Sequence, residues 1–93
     1  MAIKCGETIT LAYTVKSDAI YSTDVKIYDP SGQLVDTLTS YSLQQQDDGR
    51  YKVIFLYTLP SDCTKGIWKA DITVRFTSDT CQKETLKFYV SNE

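Results

Sequence analysis

The chain has 93 residues, 42% apolar and 24% charged, with a formal net charge of -2; that length holds one globular domain, residues 1–93, and leaves no room for a second. Its apolar and aromatic content argues against disorder, and ten scattered basic residues against twelve acidic ones give no electrostatic drive toward nucleic acid or an anionic membrane. There is no histidine, so the commonest general base near neutral pH and the commonest transition-metal ligand are both missing.

Read in chain order, the elements are strands. Residues 2–5, beginning at Ala2, suit a short edge strand. Ile9, Leu11, Tyr13 and Val15 then alternate with Thr8, Thr10, Ala12 and Thr14, the period of a half-buried strand with its odd positions inward. Residues 17–23 are polar apart from Ile20 and Tyr21 and read as a loop. A strand over 24–28 follows, with Val25 and Ile27 inward. Asp29, Pro30, Ser31 and Gly32 make the clearest turn: proline pre-sets φ, the aspartate side chain bonds the turn backbone, and glycine closes it.

Residues 33–45 resume strand-like sequence that splits into two short edge strands, and Asp48-Gly49 marks a second turn. Beyond it come three runs with an apolar side chain at every second residue. The first is Tyr51, Val53, Phe55 and Tyr57. The second is Trp68, Ala70, Ile72, Val74 and Phe76, and the third is Leu86, Phe88 and Val90. A loop over 59–65 and a turn over 78–80 separate them. Seven to eight strands at this spacing, with no helical period, predict an all-β, immunoglobulin-like Greek-key β-sandwich. A small barrel is the structural alternative.

The combination Asp48-Gly49-x-Tyr51, Leu59-Pro60, Gly66-x-Trp68 and the closing Phe88-Tyr89-Val90 resembles immunoglobulin-like modules of macroglobulin type and of bacterial and phage surface proteins. The resemblance covers residues 48–90 and reports fold before function. It implies a structural role as a spacer, a decoration, or an adhesion or assembly surface. Antibody-type domains match poorly, because no cysteine pair brackets Trp68 across two strands.

Catalytic residues are not found. Besides the missing histidine, there is no glycine-rich phosphate loop or dinucleotide fingerprint, and the adjacent Asp47 and Asp48 lie in turn sequence without the burial that would raise a carboxyl pKa. The chain is expected not to be an enzyme and to need no cofactor. Strand directions bring the loops at 17–23, 44–49 and 78–80 to one pole, and with them Asp18, Asp47, Asp48 and Asp79. A calcium site there would need their oxygens to converge. The turn preference of aspartate accounts for the same residues without a metal, and no metal site is expected.

The three cysteines lack zinc-site spacing and cannot all pair. They are read as small residues near strand ends kept as thiols, with one bridge plus a free thiol as the alternative. Cys5 and Cys63 fall at the pole opposite the aspartates. Cys81 follows the strand over 66–77, about 35 Å long at ~3.3 Å per residue, so an intrachain bridge would join Cys5 to Cys63.

Pairing the strand around Ile9 with that around Tyr51 places Thr10, Ala12 and Thr14 beside Lys52, Ile54, Leu56 and Thr58 on one outward face. Ile54 and Leu56 break the alternation of their strand there. Coverage by an edge strand or terminal segment is one explanation, and an oligomer or assembly interface is the other. The other sheet's outward set, Lys26, Lys69, Asp71, Arg75 and Lys87, reads as a solvated surface. Ile20, Tyr21 and Tyr41 are candidate loop anchors for a protein or sugar ligand. Tyrosines also fill sandwich ends without binding anything.

The expected function is a noncatalytic structural or assembly module, of the kind found as capsid decorations or tail-associated domains of phage and virus particles. The alternative is a ligand-binding adhesion domain excised from a larger cell-surface protein. Its partner is a protein or a second copy, with no nucleic acid and no membrane insertion, since no run is long enough to cross a bilayer. The absence of an export signal after Met1 favours the particle component.

Overall fold

A computed structural model describes residues 3–16 and 19–91. They form eight strands: β1 (Ile3–Lys4), β2 (Thr8–Val15), β3 (Ile20–Tyr28), β4 (Leu34–Leu38), β5 (Ser42–Gln45), β6 (Tyr51–Thr58), β7 (Gly66–Phe76) and β8 (Cys81–Ser91). One sheet has the order β1-β8-β7-β3-β4 and the other the order β2-β6-β5. Neighbours are antiparallel except β1, which runs parallel to the end of β8. No helix among the described residues is long and apolar enough to cross a membrane.

Alternation buries one face of each sheet against the other. Leu11, Val15, Val53, Phe55 and Tyr57 from the smaller sheet meet Val25, Ile27, Trp68, Ala70, Ile72 and Val74 from the larger in one buried cluster. Ile9, Tyr13, Tyr51, Phe76, Leu86 and Phe88 pack around it, half-buried. Residues 33–45 split as expected. β4 pairs with β3 in the larger sheet, and β5 pairs with β6 in the smaller, so the chain changes sheets between Leu38 and Ser42.

The loop expected over 17–23 is corrected: β3 begins at Ile20. Ile20 pairs with Phe76, and the Thr77 N–H donates to the Ala19 carbonyl at 3.0 Å, so the end of β7 templates this backbone whatever its local polarity. The register slips between Ile20 and Ser22, leaving Tyr21 as the extra residue of a bulge. Ala2, Ser17 and Asp18 lie outside the described residues.

Bringing β3 forward also turns Thr23 into the core, where the residue is 4% exposed and its buried hydroxyl has no hydrogen-bond partner. A buried donor left unpaired is costly, whereas an apolar group of the same shape is not. Thr23→Val is therefore expected to stabilise the chain by about 1 kcal/mol, read as a higher urea midpoint at unchanged slope.

The β3–β4 turn is built as its sequence requires. Asp29 Oδ1 accepts the Ser31 N–H at 3.0 Å, the Ser31 hydroxyl at 2.6 Å and the Gln33 N–H at 3.0 Å, while the Gly32 N–H donates to the Asp29 carbonyl at 2.9 Å. These bonds, the Ser31 hydroxyl foremost, hold the Asp29 carboxyl below its ordinary pKa. Gly66 packs beneath this turn with φ 131°, and a Cβ there would lie 2.9 Å from Pro30 Cγ, so glycine alone fits.

At the opposite pole from the β7–β8 turn, Cys5 and Cys63 form a disulfide with Cα atoms 5.6 Å apart. The reading of all three cysteines as thiols is thereby overturned, and the bridge joins the pair that strand direction had selected. The cause is the meeting of the β1–β2 and β6–β7 connectors, where the Leu59 N–H donates to the Glu7 carbonyl at 2.9 Å. Cys81 is an exposed free thiol.

Candidate interaction surface

In the β2–β6 register Thr10 lies opposite Leu56, Ala12 opposite Ile54 and Thr14 opposite Lys52, with Leu11 opposite Phe55 in the alternate row. Since Leu11 and Phe55 are buried in the core, the row of Thr10, Ala12, Ile54 and Leu56 faces outward. This is the face read from the sequence.

The two explanations for Ile54 and Leu56 divide between the two residues. β5 pairs with β6 only from Tyr51 to Ile54. Ser42 therefore flanks Ile54, which is half-buried, while no strand residue of β5 lies opposite Leu56. Leu56 remains 67% exposed. Beside it Ser40, Tyr41, Ser42, Ile54 and Leu56 line a shallow cavity of about 240 Å³. The Tyr41 ring contacts that of the inward-facing Phe55, with centroids 6.1 Å apart, at the edge of the sheet. Leu43, on β5, is also exposed but lies opposite the buried Val53, in the row that faces inward.

Ile20 and Tyr21 belong to the other sheet, on β3, and are not loop anchors. Ile20 is half-buried against the core. Tyr21 projects from the bulge, 76% exposed, and borders a hollow of about 310 Å³ with Arg75, Phe76, Asp79, Thr80 and Cys81. The five residues picked out from sequence thus fall into a contiguous trio, Ala12, Ile54 and Leu56, and two separate positions.

The outer face of the larger sheet is charged as expected. Arg75 pairs with Asp24 at 3.8 Å, and the Thr85 hydroxyl donates to Asp71 at 2.8 Å. Sequence reading missed one apolar pair on this face: Ile67 and Tyr89 lie directly opposite each other, each more than half exposed. The signal was present, since both are out of phase with the buried Trp68 and Val90.

Asp48 accepts the Arg50 N–H at 3.0 Å and pairs with the Arg50 side chain at 3.5 Å. Asp79 takes the left-handed conformation of its turn, φ 67°. Asp18 lies outside the described residues, and among those described no group of three or more His, Cys, Asp or Glu side chains is placed to hold a metal ion.

No family model matches the chain, and no curated protein sequence does. Among solved structures, the crystal structure of CopC from Methylosinus trichosporium OB3b resembles it with a TM-score of 0.55 over 99% of this chain and 85% of that one, at 13% identity. At that identity the likeness is one of fold, an all-β arrangement of two sheets, and carries nothing about chemistry.

Proposed function

We propose that the chain is a noncatalytic assembly module of immunoglobulin-like Greek-key type, which docks onto protein through the outer face of its β2–β6–β5 sheet. One observation carries the reading: Leu56 stands open beside Ile54, Ala12 and Tyr41, on a face whose nearest charge is Lys52 at its rim. The outer face of the larger sheet is charged apart from the pair Ile67 and Tyr89. Covering Leu56 would contribute about 1–2 kcal/mol, so it acts as an anchor within a larger contact. The placement of consecutive strands β4 and β5 on different sheets supports the immunoglobulin-like reading, and the lack of histidine supports the noncatalytic one. A particle component and a cell-surface adhesion domain would both use such a face.

The test replaces Ile54 and Leu56 together by lysine, whose stems can lie along the sheet with their charges in water. The circular dichroism spectrum should stay that of the wild type while association weakens at least roughly 30-fold. A double variant with the wild-type mass in light scattering overturns the proposal.

A further inference from the structure

The basic residues are scattered along the chain, yet the strand order gathers half of the ten on one surface. The outward rows of β3, β7 and β8 carry Lys26, Lys69, Arg75, Lys83 and Lys87 against Asp24 and Asp71, on a chain whose formal net charge is -2. Lys26 stands opposite Asp71, Arg75 pairs with Asp24, and Lys83 stands opposite Thr73. Lys69 differs. It lies directly opposite Lys87, with Tyr28 on its other side, and among the described residues no carboxylate forms an ion pair with either lysine. Like charges so placed destabilise a sheet. An anion seated between the two ammonium groups turns that repulsion into attraction.

We propose that this face binds an acidic polysaccharide, a chain of sugars some of which carry carboxylates, with one carboxylate held between Lys69 and Lys87. The site is separate from the Leu56 face and does not depend on docking there. Ile67 and Tyr89 occupy the next rung, each more than half exposed, and set a ring beside the lysines for the C–H face of a sugar. In the other direction Asp24, Lys26, Asp71, Thr73, Lys83 and Glu84 border a hollow of about 270 Å³. Its aspartates are only partly engaged. Arg75 reaches Asp24 through Oδ2, and the Thr85 hydroxyl donates to Asp71 Oδ1, which leaves an oxygen on each to accept a sugar hydroxyl.

Spacing separates this ligand from other anions. Lys83 and Lys87 are ~13 Å apart along β8 at ~3.3 Å per residue, and the rung between them holds Lys26, Asp71 and Thr85. A nucleic-acid strand carries a phosphate about every 3.4 Å and would set several of them against Asp24, Asp71 and Glu84. Protein interfaces are depleted in lysine, whereas Lys26, Lys69, Lys83 and Lys87 are all exposed on this face. A polysaccharide places hydroxyls between its carboxylates, and the sheet places hydroxyl acceptors between its lysines.

The experiment titrates the full chain with a short alginate oligosaccharide, a chain of uronic acids, at low salt, followed by calorimetry and by amide chemical shifts. Saturable binding is expected, with shifts confined to β3, β7 and β8, and it should weaken as salt is added. Lys69→Gln with Lys87→Gln should raise the dissociation constant at least roughly tenfold without lowering the melting temperature, because the repulsion between the two is removed as well. Tyr89→Ala should weaken binding at least roughly threefold at unchanged salt dependence, which separates ring stacking from charge. No saturable binding at low salt, or a double variant that binds as the wild type does, overturns the proposal. Poly-glutamate or oligo-thymidylate binding as tightly as alginate overturns it too, by assigning the face to acidic protein or to nucleic acid.

Discussion

Replacing Trp68 with alanine is expected to cost about 3–5 kcal/mol of folding stability. The indole is 2% exposed, its ring stacks on Phe88 with centroids 6.1 Å apart, and its Nε1–H donates to the Thr64 carbonyl at 2.7 Å. The substitution removes the largest buried side chain among the described residues, and the facing strands cannot close on the gap without breaking their own registers. A chain of this length has roughly 5–14 kcal/mol in all, so the variant should melt about 15 °C or more below the wild type. Trp68→Phe separates the two contributions. It retains much of the apolar surface but leaves the Thr64 carbonyl without its donor, and should cost about 1–3 kcal/mol. Urea titration followed by circular dichroism measures both. A loss under about 1 kcal/mol for the alanine variant would contradict the placement of Trp68 in the core.

Why so much of this fold was legible follows from its two sheets each burying a single face. Tyr51 to Tyr57 and Trp68 to Phe76 must then alternate, and a slip of one residue would expose every apolar side chain. The failures share a different origin. Ile20 is a strand residue because Phe76 lies opposite it, a contact fifty-six positions away along the chain; the polar neighbours Ser22 and Asp24 conceal that locally. The parallel pairing of β1 with Val90 and Ser91 is equally nonlocal. Whether Leu56 is open depends on β5 beginning its pairing at Ser42, and nothing in residues 39–41 marks that point by periodicity. For the cysteines, strand direction assigns a pole. Bonding further requires two connectors to approach within a few ångströms, which the Glu7–Leu59 contact arranges and local sequence does not encode.

The disulfide carries the second large effect. It links residues 58 positions apart, and in the chain-entropy treatment closing a loop of that length in the unfolded state contributes about 4 kcal/mol. Cys5→Ser with Cys63→Ser should therefore lower stability by about 2–5 kcal/mol, and reduction of the wild type should match it. The effect will not be independent of Trp68. The β6–β7 connector is tied to the body of the protein by three contacts close in sequence: the Leu59 N–H to the Glu7 carbonyl, Cys63 to Cys5, and the Thr64 carbonyl to the Trp68 indole. Once the bridge is gone, the segment carrying Thr64 is freer to move, and the indole bond restrains a looser acceptor. Removing that bond by Trp68→Phe should then cost less in the serine background than in the wild type, by about 0.5 kcal/mol or more. A double-mutant cycle in urea reads the difference directly. Strict additivity would mean that the connector is held by Leu59 and by packing alone, with the bridge acting only on the unfolded chain.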